Sequence, residues 1–99
     1  MKNLIERDKK RRFLVAKYEQ KRAILKALTF KGSLSKAVRF KASLDLSVLP
    51  KNSSKTRLNN RCTLTGRGKA VLSSFRISRI ALRTLGSCGL VSGFTKSSW

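Results

Sequence analysis

Apolar residues in the first third of the chain recur at a spacing close to the helical repeat. Residues 1–31 contain neither Gly nor Pro and are rich in Lys, Arg, Leu and Ala, which are good helix formers. The residues that approximate one apolar stripe are Leu14, Tyr18, Leu25 and Leu28, with Phe13 and Ile24 nearby. This pattern predicts a long helix with a basic surface, and Gly32 is its predicted end.

A shorter helix and then a segment without helical patterning are predicted next. The helix would be capped by Ser33 or Ser35 and would end before Pro50, the only proline. Its apolar residues would be Leu34, Val38 and Leu44. Residues 51–69 are polar and basic, contain two glycines, and offer little that would fill a core. We expect this segment to be extended or looped.

A third helix is predicted from about Ser78 to Leu85, with Ser78 as its cap and Gly86 as its end. Its apolar face would hold Ile77, Ala81 and Leu85, and its basic face Arg76, Arg79 and Arg83. The tail after it has two further glycines after residue 88 and is expected to be irregular. These patterns divide the chain into a basic helical arm over residues 1–50, an extended segment over 51–69, and a small C-terminal lobe with its tail over 70–99.

The charge of the chain is strongly positive and uneven. It has 24 Lys and Arg against four acids, a formal net charge of +20. All four acids lie in the first 45 residues, so residues 46–99 carry ten basic residues and no acid. The like charges of the chain repel one another. Binding to a nucleic acid would offset this repulsion and gain affinity from the release of condensed counterions. The competing partner, an anionic membrane, is disfavoured because the chain has no sustained apolar helical face and no apolar run of roughly 18–20 residues.

The side chains needed for catalysis or for a secreted fold are missing. There is no His, so neither Cys62 nor Cys88 has an imidazole to activate it. We therefore predict no enzyme activity, no cofactor and no small-molecule substrate. Two cysteines do not make a disulfide framework, which indicates a reducing compartment. The start lacks the pattern of a secretory signal.

Arginines in the acid-free half are the main candidates for nucleic-acid contact. They lie among Asn, Ser, Thr and Gly, whose small side chains permit close backbone approach. Arg presents a planar fork to phosphate oxygens and can stack on an exposed base. We expect phosphate contacts from Arg57, Arg61, Arg67, Lys69, Arg76, Arg79 and Arg83.

Two other basic features each keep two interpretations. The run KKRR at residues 9–12 is either a nuclear-localisation or nucleic-acid patch, or the solvated face of a basic helix. Trp99, three residues after Lys96, either packs loosely on its own chain or seats against RNA.

Three motifs with fixed spacing resemble a known family. They are R-x-x-N-R-C-x-x-T-G-R at residues 57–67, S-R-x-x-x-R at 78–83 and K-x-S-W at 96–99. Together with the basic start, they resemble the fourteenth protein of the bacterial-type small ribosomal subunit. The matching positions are Arg57, Asn60, Arg61, Cys62, Thr65, Gly66, Arg67, Ser78, Arg79, Arg83, Lys96, Ser98 and Trp99.

This resemblance implies a structural constituent of the small ribosomal subunit. Such a protein binds the 3′ domain of the small-subunit ribosomal RNA and supports the assembly and shape of the head during translation. Its expected neighbours are the third, tenth and nineteenth proteins of the subunit. The implied RNA-binding set adds Asn60, Lys96 and Trp99 to the seven basic residues above. The alternative is a histone-like DNA-packaging protein, which would share the charge but has no reason to carry the signature from Asn60 to Arg67.

The resemblance also suggests a location. The segments RDKKRRFLVAKYE and FRISRI look most like plant and protist mitochondrial members, so the mitochondrial ribosome is the expected place, with the chloroplast or the bacterial cytoplasm as alternatives. Glu6 and Asp8 argue against a cleavable presequence.

Other branches of the family carry a zinc knuckle, whose four ligand positions align with Cys62, Thr65, Ser78 and Ala81. Only Cys62 is a usual zinc ligand. The resemblance therefore implies a mainly α chain with extended RNA-binding segments, a long basic N-terminal helix and a small zinc-knuckle-like C-terminal lobe lacking the metal. Cys62 would be a small buried hydrophobe. The lobe would be held by RNA and by the packing of Phe75, Ile77, Ile80 and Leu85.

Overall fold

The computed structural model describes residues 2–99 and begins with one long helix. Helix α1 runs over Lys2–Phe30 and ends two residues before Gly32, as its composition predicts. Val15 and Asp8 are its buried residues, and Arg12 Nε donates to Asp8 Oδ2 at 2.7 Å one turn away. The predicted stripe of Leu14, Tyr18, Leu25 and Leu28 is half-buried, whereas Phe13 and Ile24 are exposed.

A second helix and two short turns follow. Helix α2 runs over Lys36–Val48, with Ser35 as the N-cap whose Oγ accepts from the N–H of Val38. Ser35 is therefore the cap rather than Ser33, and Leu34 lies outside the helix. The helix ends before Pro50, as predicted. Two 3₁₀ turns cover Lys51–Ser53 and Lys55–Arg57, where the sequence suggested extended chain. The described backbone over residues 58–69 has no helix or strand.

The C-terminal part contains a hairpin that the sequence did not predict. Strands β1 (Val71–Leu72) and β2 (Ile77–Ser78) pair antiparallel, with Val71 opposite Ser78 and Leu72 opposite Ile77. Two-residue strands are too short to leave an alternating pattern. Ile77, assigned to the third helix from sequence, lies in β2.

Helix α3 runs over Arg79–Ser87, and Ser78 caps it by accepting from the N–H of Ala81, as predicted. The helix ends at Ser87, two residues beyond the predicted last residue Leu85, so it continues past Gly86. The N–H of Leu90 bonds to the carbonyl of Leu85, and that of Gly89 to Gly86. These two hydrogen bonds terminate the helix, and the left-handed φ of +74° at Gly89 makes them possible.

The chain forms two compact units. Unit 1 consists of the start of α1, through Ile5, with Asn59–Trp99, and unit 2 is Glu6–Leu58. The buried apolar residues are few and local: Val15, Ala42 and Leu49 in unit 2, and Cys62 and Ile77 in unit 1. The mainly helical character predicted from the sequence is confirmed, with a small sheet added.

Packing of unit 1 differs from the prediction. Ile77 is buried and Leu85 half-buried, but Phe75 and Ile80 are 44% and 47% exposed. Phe75 instead meets Phe94 edge-to-face, with ring centroids 5.3 Å apart. This contact ties the C-terminal tail to the hairpin turn.

Candidate nucleic-acid interface

Backbone hydrogen bonds bring the arginine-bearing segments of unit 1 together. They run from the N–H groups of Cys62, Thr63 and Arg79 to the carbonyls of Arg67, Arg76 and Ala70, at 2.9, 3.1 and 2.9 Å respectively. The loop over residues 62–67 therefore lies beside the hairpin turn, and the start of α3 lies beside the segment that enters β1. Residues 59–99 contain no Asp or Glu, so no side-chain carboxylate of that segment offsets this charge.

Most of the predicted contact residues are accessible. Arg61 and Arg67 are half-buried, and the exposed ones are Arg57, Asn60, Lys69, Arg76, Arg79, Arg83, Lys96 and Trp99. Arg79 and Arg83 are one turn apart on α3 and so share a face. Arg57 belongs to unit 2 and the others to unit 1.

Arg61 makes one structural hydrogen bond and also has one buried N–H group without a partner in the part of the chain that the structure describes. Its Nη1 donates to the carbonyl of Gly66 at 2.9 Å, which closes the loop. Its Nε is buried without a hydrogen-bond partner among the described residues. A buried N–H without a partner costs stability, and because the atom is buried it is not open to an incoming acceptor.

Gly66 fits its place for two reasons. Its φ is +77°, a backbone conformation that side-chain-bearing residues rarely adopt. A Cβ there would also lie 2.6 Å from Cδ1 of Ile5. The glycine of the T-G-R motif is thus favoured by its backbone conformation, and a Cβ there would in addition displace the flexible end of the Ile5 side chain.

Arg76 holds a strained backbone within the hairpin turn. Its φ is +59°, and its N–H donates to the carbonyl of Leu72 at 2.7 Å. For a residue with a Cβ this conformation is costly. The turn therefore places Arg76, whose side chain is exposed, at the cost of local backbone strain.

Cys62 lies at the centre of a hydrogen-bonded cluster. The N–H of Thr65 donates to its Sγ at 3.5 Å. Hydrogen bonds from the Thr65 side chain and backbone, and from the backbone of Ser78 and Leu64, lower the pKa of the Cys62 thiol to about 6, against the opposing effect of burial. Cys62 is buried, as predicted, but its sulfur is also a hydrogen-bond acceptor rather than only an apolar atom.

The same cluster bears on metal binding. Of the four positions aligned with zinc ligands, only Cys62 carries a usual ligand atom, so a tetrahedral zinc site does not fit these residues. Within residues 2–99, no three His, Cys, Asp or Glu side chains are grouped so as to hold a metal ion. None of the helices described there has the length and apolar content needed to cross a bilayer.

One basic residue of structural importance was missed from the sequence. Arg22 Nε donates to Ser53 Oγ at 2.7 Å, and its Nη2 donates to the carbonyl of Pro50 at 3.0 Å. These partners are far away in the chain, so no local spacing indicated the contact.

Comparison with known proteins identifies the family. A family model described as ribosomal protein S14p/S29e matches residues 45–98. A protein of Dinoroseobacter shibae named small ribosomal subunit protein uS14 is 57% identical over 98 residues, covering 99% of this chain and 97% of that protein. The Marchantia polymorpha protein named uS14m is 52% identical over 99 residues and the full length of both. The chain therefore belongs to the ribosomal protein S14p/S29e family.

Proposed function

We propose that this chain binds the 3′ domain of the small-subunit ribosomal RNA through the acid-free surface of unit 1 and thereby helps to assemble and shape the head. Membership in the family makes the chain a structural protein of the small ribosomal subunit, not an enzyme. The observation that carries the RNA proposal is the joining of three arginine-bearing segments by backbone hydrogen bonds. These backbone bonds hold the segments side by side, so their arginines present several planar donor groups to neighbouring phosphates.

The proposed RNA contacts are those predicted from the sequence. The exposure of eight of them supports the assignment, whereas Arg61 and Arg67 are half-buried. The set comprises Arg57, Asn60, Arg61, Arg67, Lys69, Arg76, Arg79, Arg83, Lys96 and Trp99. The family found by comparison gives no support to the DNA-packaging alternative.

Removal of the two arginines on α3 tests this function. The double variant Arg79→Ala with Arg83→Ala should weaken binding to a 3′-domain RNA fragment and lower the salt slope by about two, since each phosphate contact contributes roughly one. The control is Lys36→Ala with Lys41→Ala on α2, which removes the same charge. Equal slopes for the double variant and the unmodified chain would reject the phosphate role. If the control pair lowers the salt slope as much, the loss of RNA binding depends on overall charge and not on the two arginines of α3.

We also propose protein neighbours for α2, namely the third, tenth and nineteenth proteins of the subunit. Phe40, Leu44 and Val48 are spaced one turn apart and are 66%, 50% and 83% exposed, so they form an apolar stripe. Such a stripe on a helix is typical of a protein contact. Photocrosslinking from Leu44 in assembled subunits would identify the partner.

The C-terminal lobe is proposed to keep a zinc-knuckle-like layout without the metal. Support comes from the hydrogen bonds that link the aligned positions: Thr65 and Ser78 to the sulfur of Cys62, and Ala81 to the hydroxyl of Ser78.

The proposed location is the mitochondrial ribosome, supported by the full-length match to a protein named uS14m. Bacterial relatives match as well, so fractionation of the native cell is the test.

A further inference from the structure

Unit 2 contains a groove that extends from α1 to Arg57. It joins two depressions of about 470 Å³ and about 560 Å³. The two depressions are neighbours, because both are lined by Arg22, Leu46, Ser54 and Thr56. We call the two together the α1 groove. Its first depression includes Phe30, and its second includes Arg57.

Arg22 is fixed at the boundary of the two depressions. Its Nε and Nη2 are held by Ser53 Oγ and the carbonyl of Pro50. The 3₁₀ turn bearing these acceptors is closed by the N–H of Ser53, which donates to Pro50 at 3.1 Å. The described hydrogen bonds leave Nη1 available, so the guanidinium is preorganised for an acceptor in the groove.

The second depression has the chemistry of a phosphate site. Three cations line it, Arg22, Lys51 and Arg57, and its described lining contains no carboxylate. The hydroxyls of Ser54 and Thr56 also line it and are hydrogen-bonded to each other at 2.9 Å, which leaves one hydroxyl proton for a further acceptor. Arg and Lys with hydroxyl donors are the usual contacts of nucleic-acid phosphates.

The first depression is mostly apolar. Val15, Ala23 and Leu46 line it, and Phe30 at its edge is 76% exposed. Its one carboxylate, Glu19, is paired with Lys55 at 2.8 Å, and this hydrogen bond lowers the pKa of the Glu19 carboxyl. The charge of that acid is therefore offset within the groove.

A basic track beside an apolar seat with an exposed aromatic ring is the combination used to bind single-stranded nucleic acid. The bases of an A-form duplex are stacked inside, where Phe30 has no access to their faces. We propose that the α1 groove binds a single-stranded segment of ribosomal RNA, with a backbone phosphate at Arg22, Lys51 and Arg57 and an unpaired base against Phe30. This inference rests on the proposed RNA-binding function and adds a site and a strand type to it.

The test compares two double variants of the full chain. Lys51→Ala with Phe30→Ala alters the groove but leaves Arg22 and its structural bonds in place. Lys41→Ala with Phe13→Ala is the matched control, since Phe13 is 68% exposed and both residues lie outside the groove. Binding would be measured by fluorescence anisotropy with a single-stranded RNA of about ten nucleotides, within the usual site size, and with a duplex of the same length.

The groove variant should weaken single-strand binding at least about fivefold, the low end of base–aromatic stacking. Duplex binding should fall less, and the control should leave single-strand binding within about twofold. Equal loss for strand and duplex, or equal loss in the control, would overturn the proposal. In assembled subunits, a photocrosslinker at Phe30 should label unpaired nucleotides, and labelling of a protein or of paired nucleotides would also overturn it.

The two proposals fail in different ways. If the groove variant binds like the unmodified chain while Arg79→Ala with Arg83→Ala weakens binding, the groove proposal alone is wrong. If neither variant changes RNA binding, the proposed function of unit 1 is wrong as well.

Discussion

Nε of Arg22 donates to Oγ of Ser53 at 2.7 Å, joining helix α1 to a turn 31 positions later in the chain. Ser53 is 1% exposed, and its hydroxyl also bonds to the carbonyl of Pro50. One buried hydroxyl therefore serves as both donor and acceptor where the turn meets α1, beside the second bond from Arg22 Nη2 to the carbonyl of Pro50.

Ser53→Ala should lower the free energy of unfolding by about 1–3 kcal/mol, the usual cost of leaving a buried polar partner unsatisfied. Ser54→Ala is the matched control, because its hydroxyl makes a solvent-exposed bond to Thr56, and a change within about 0.5 kcal/mol is expected. Urea denaturation of the two variants would measure the difference. Equal losses would show that the Arg22 contact does not hold the turn.

The elements predicted best from the sequence are those defined by local rules. Ser78 was predicted as a cap and Ser35 as one of two candidates, because each precedes a helical pattern and a cap bonds only to its own first turn. Contacts between distant residues left no such signal. The Arg22–Ser53 bond and the hairpin that opposes Leu72 to Ile77 depend on tertiary placement, which residue spacing does not encode.

The candidate site shows the same contrast between features set by local rules and features set by tertiary packing. The exposure of Arg79 and Arg83 was predictable, because α3 is short and its two arginines repeat at one turn. Ile80 was expected to pack in the lobe but is 47% exposed, and Phe75 packs on Phe94 while staying 44% exposed. Hydrophobicity alone does not say which of several apolar residues a small lobe buries. A lobe of this size leaves many apolar side chains at its surface.

The Cys62 thiol predicts a pH dependence of stability. Its pKa is about 6 in the fold, below the ordinary value of 9.0. Between these values the folded chain carries a thiolate and the unfolded chain a thiol, so unfolding takes up a proton and stability rises with pH. The contribution is complete above the ordinary value and is lost as the pH falls through about 6. The chain contains no His that would titrate in the same window.

Cys88→Ser would leave Cys62 as the single thiol for this experiment. Its thiolate absorbance should titrate with a midpoint of about 6, and urea denaturation should show the rise in stability with pH. Adding Cys62→Ser should remove that rise. A midpoint near the ordinary value for a free thiol would contradict the hydrogen-bonded thiolate.

Restoring the missing ligands tests the knuckle-like layout of the lobe. The triple variant Thr65→Cys, Ser78→Cys and Ala81→Cys should bind one zinc ion, because four thiolates in that arrangement make a tetrahedral site. Zinc should then stabilise the chain, since metal binding is coupled to folding. The control variant carries Thr63→Cys in place of Thr65→Cys, together with the other two substitutions. Its displaced thiol should make zinc binding far weaker. Absence of tight uptake by the triple variant would refute the layout.

Replacing Arg76 by glycine should change stability and RNA binding in opposite directions. Its φ of +59° costs roughly 1–2 kcal/mol for a residue with a Cβ. Glycine adopts this conformation freely but loses more chain entropy on folding, roughly 0.5–1 kcal/mol. Arg76→Gly should therefore raise the free energy of unfolding by up to about 1 kcal/mol, because strain relief exceeds the entropy loss. The backbone bonds to Leu72 and Thr63 need no side chain and should persist.

The same variant should bind RNA less well, because it removes an exposed guanidinium, and its salt slope should fall by roughly one. Arg76→Lys is the control: it keeps both the strain and the charge, so its stability should match that of the unmodified chain and its affinity should fall less than with glycine. Thermal unfolding and salt-dependent RNA binding of both variants provide the measurements. A glycine variant that gains stability and binds RNA unchanged would remove Arg76 from the interface, whereas one that loses stability would show that the side chain supports the turn.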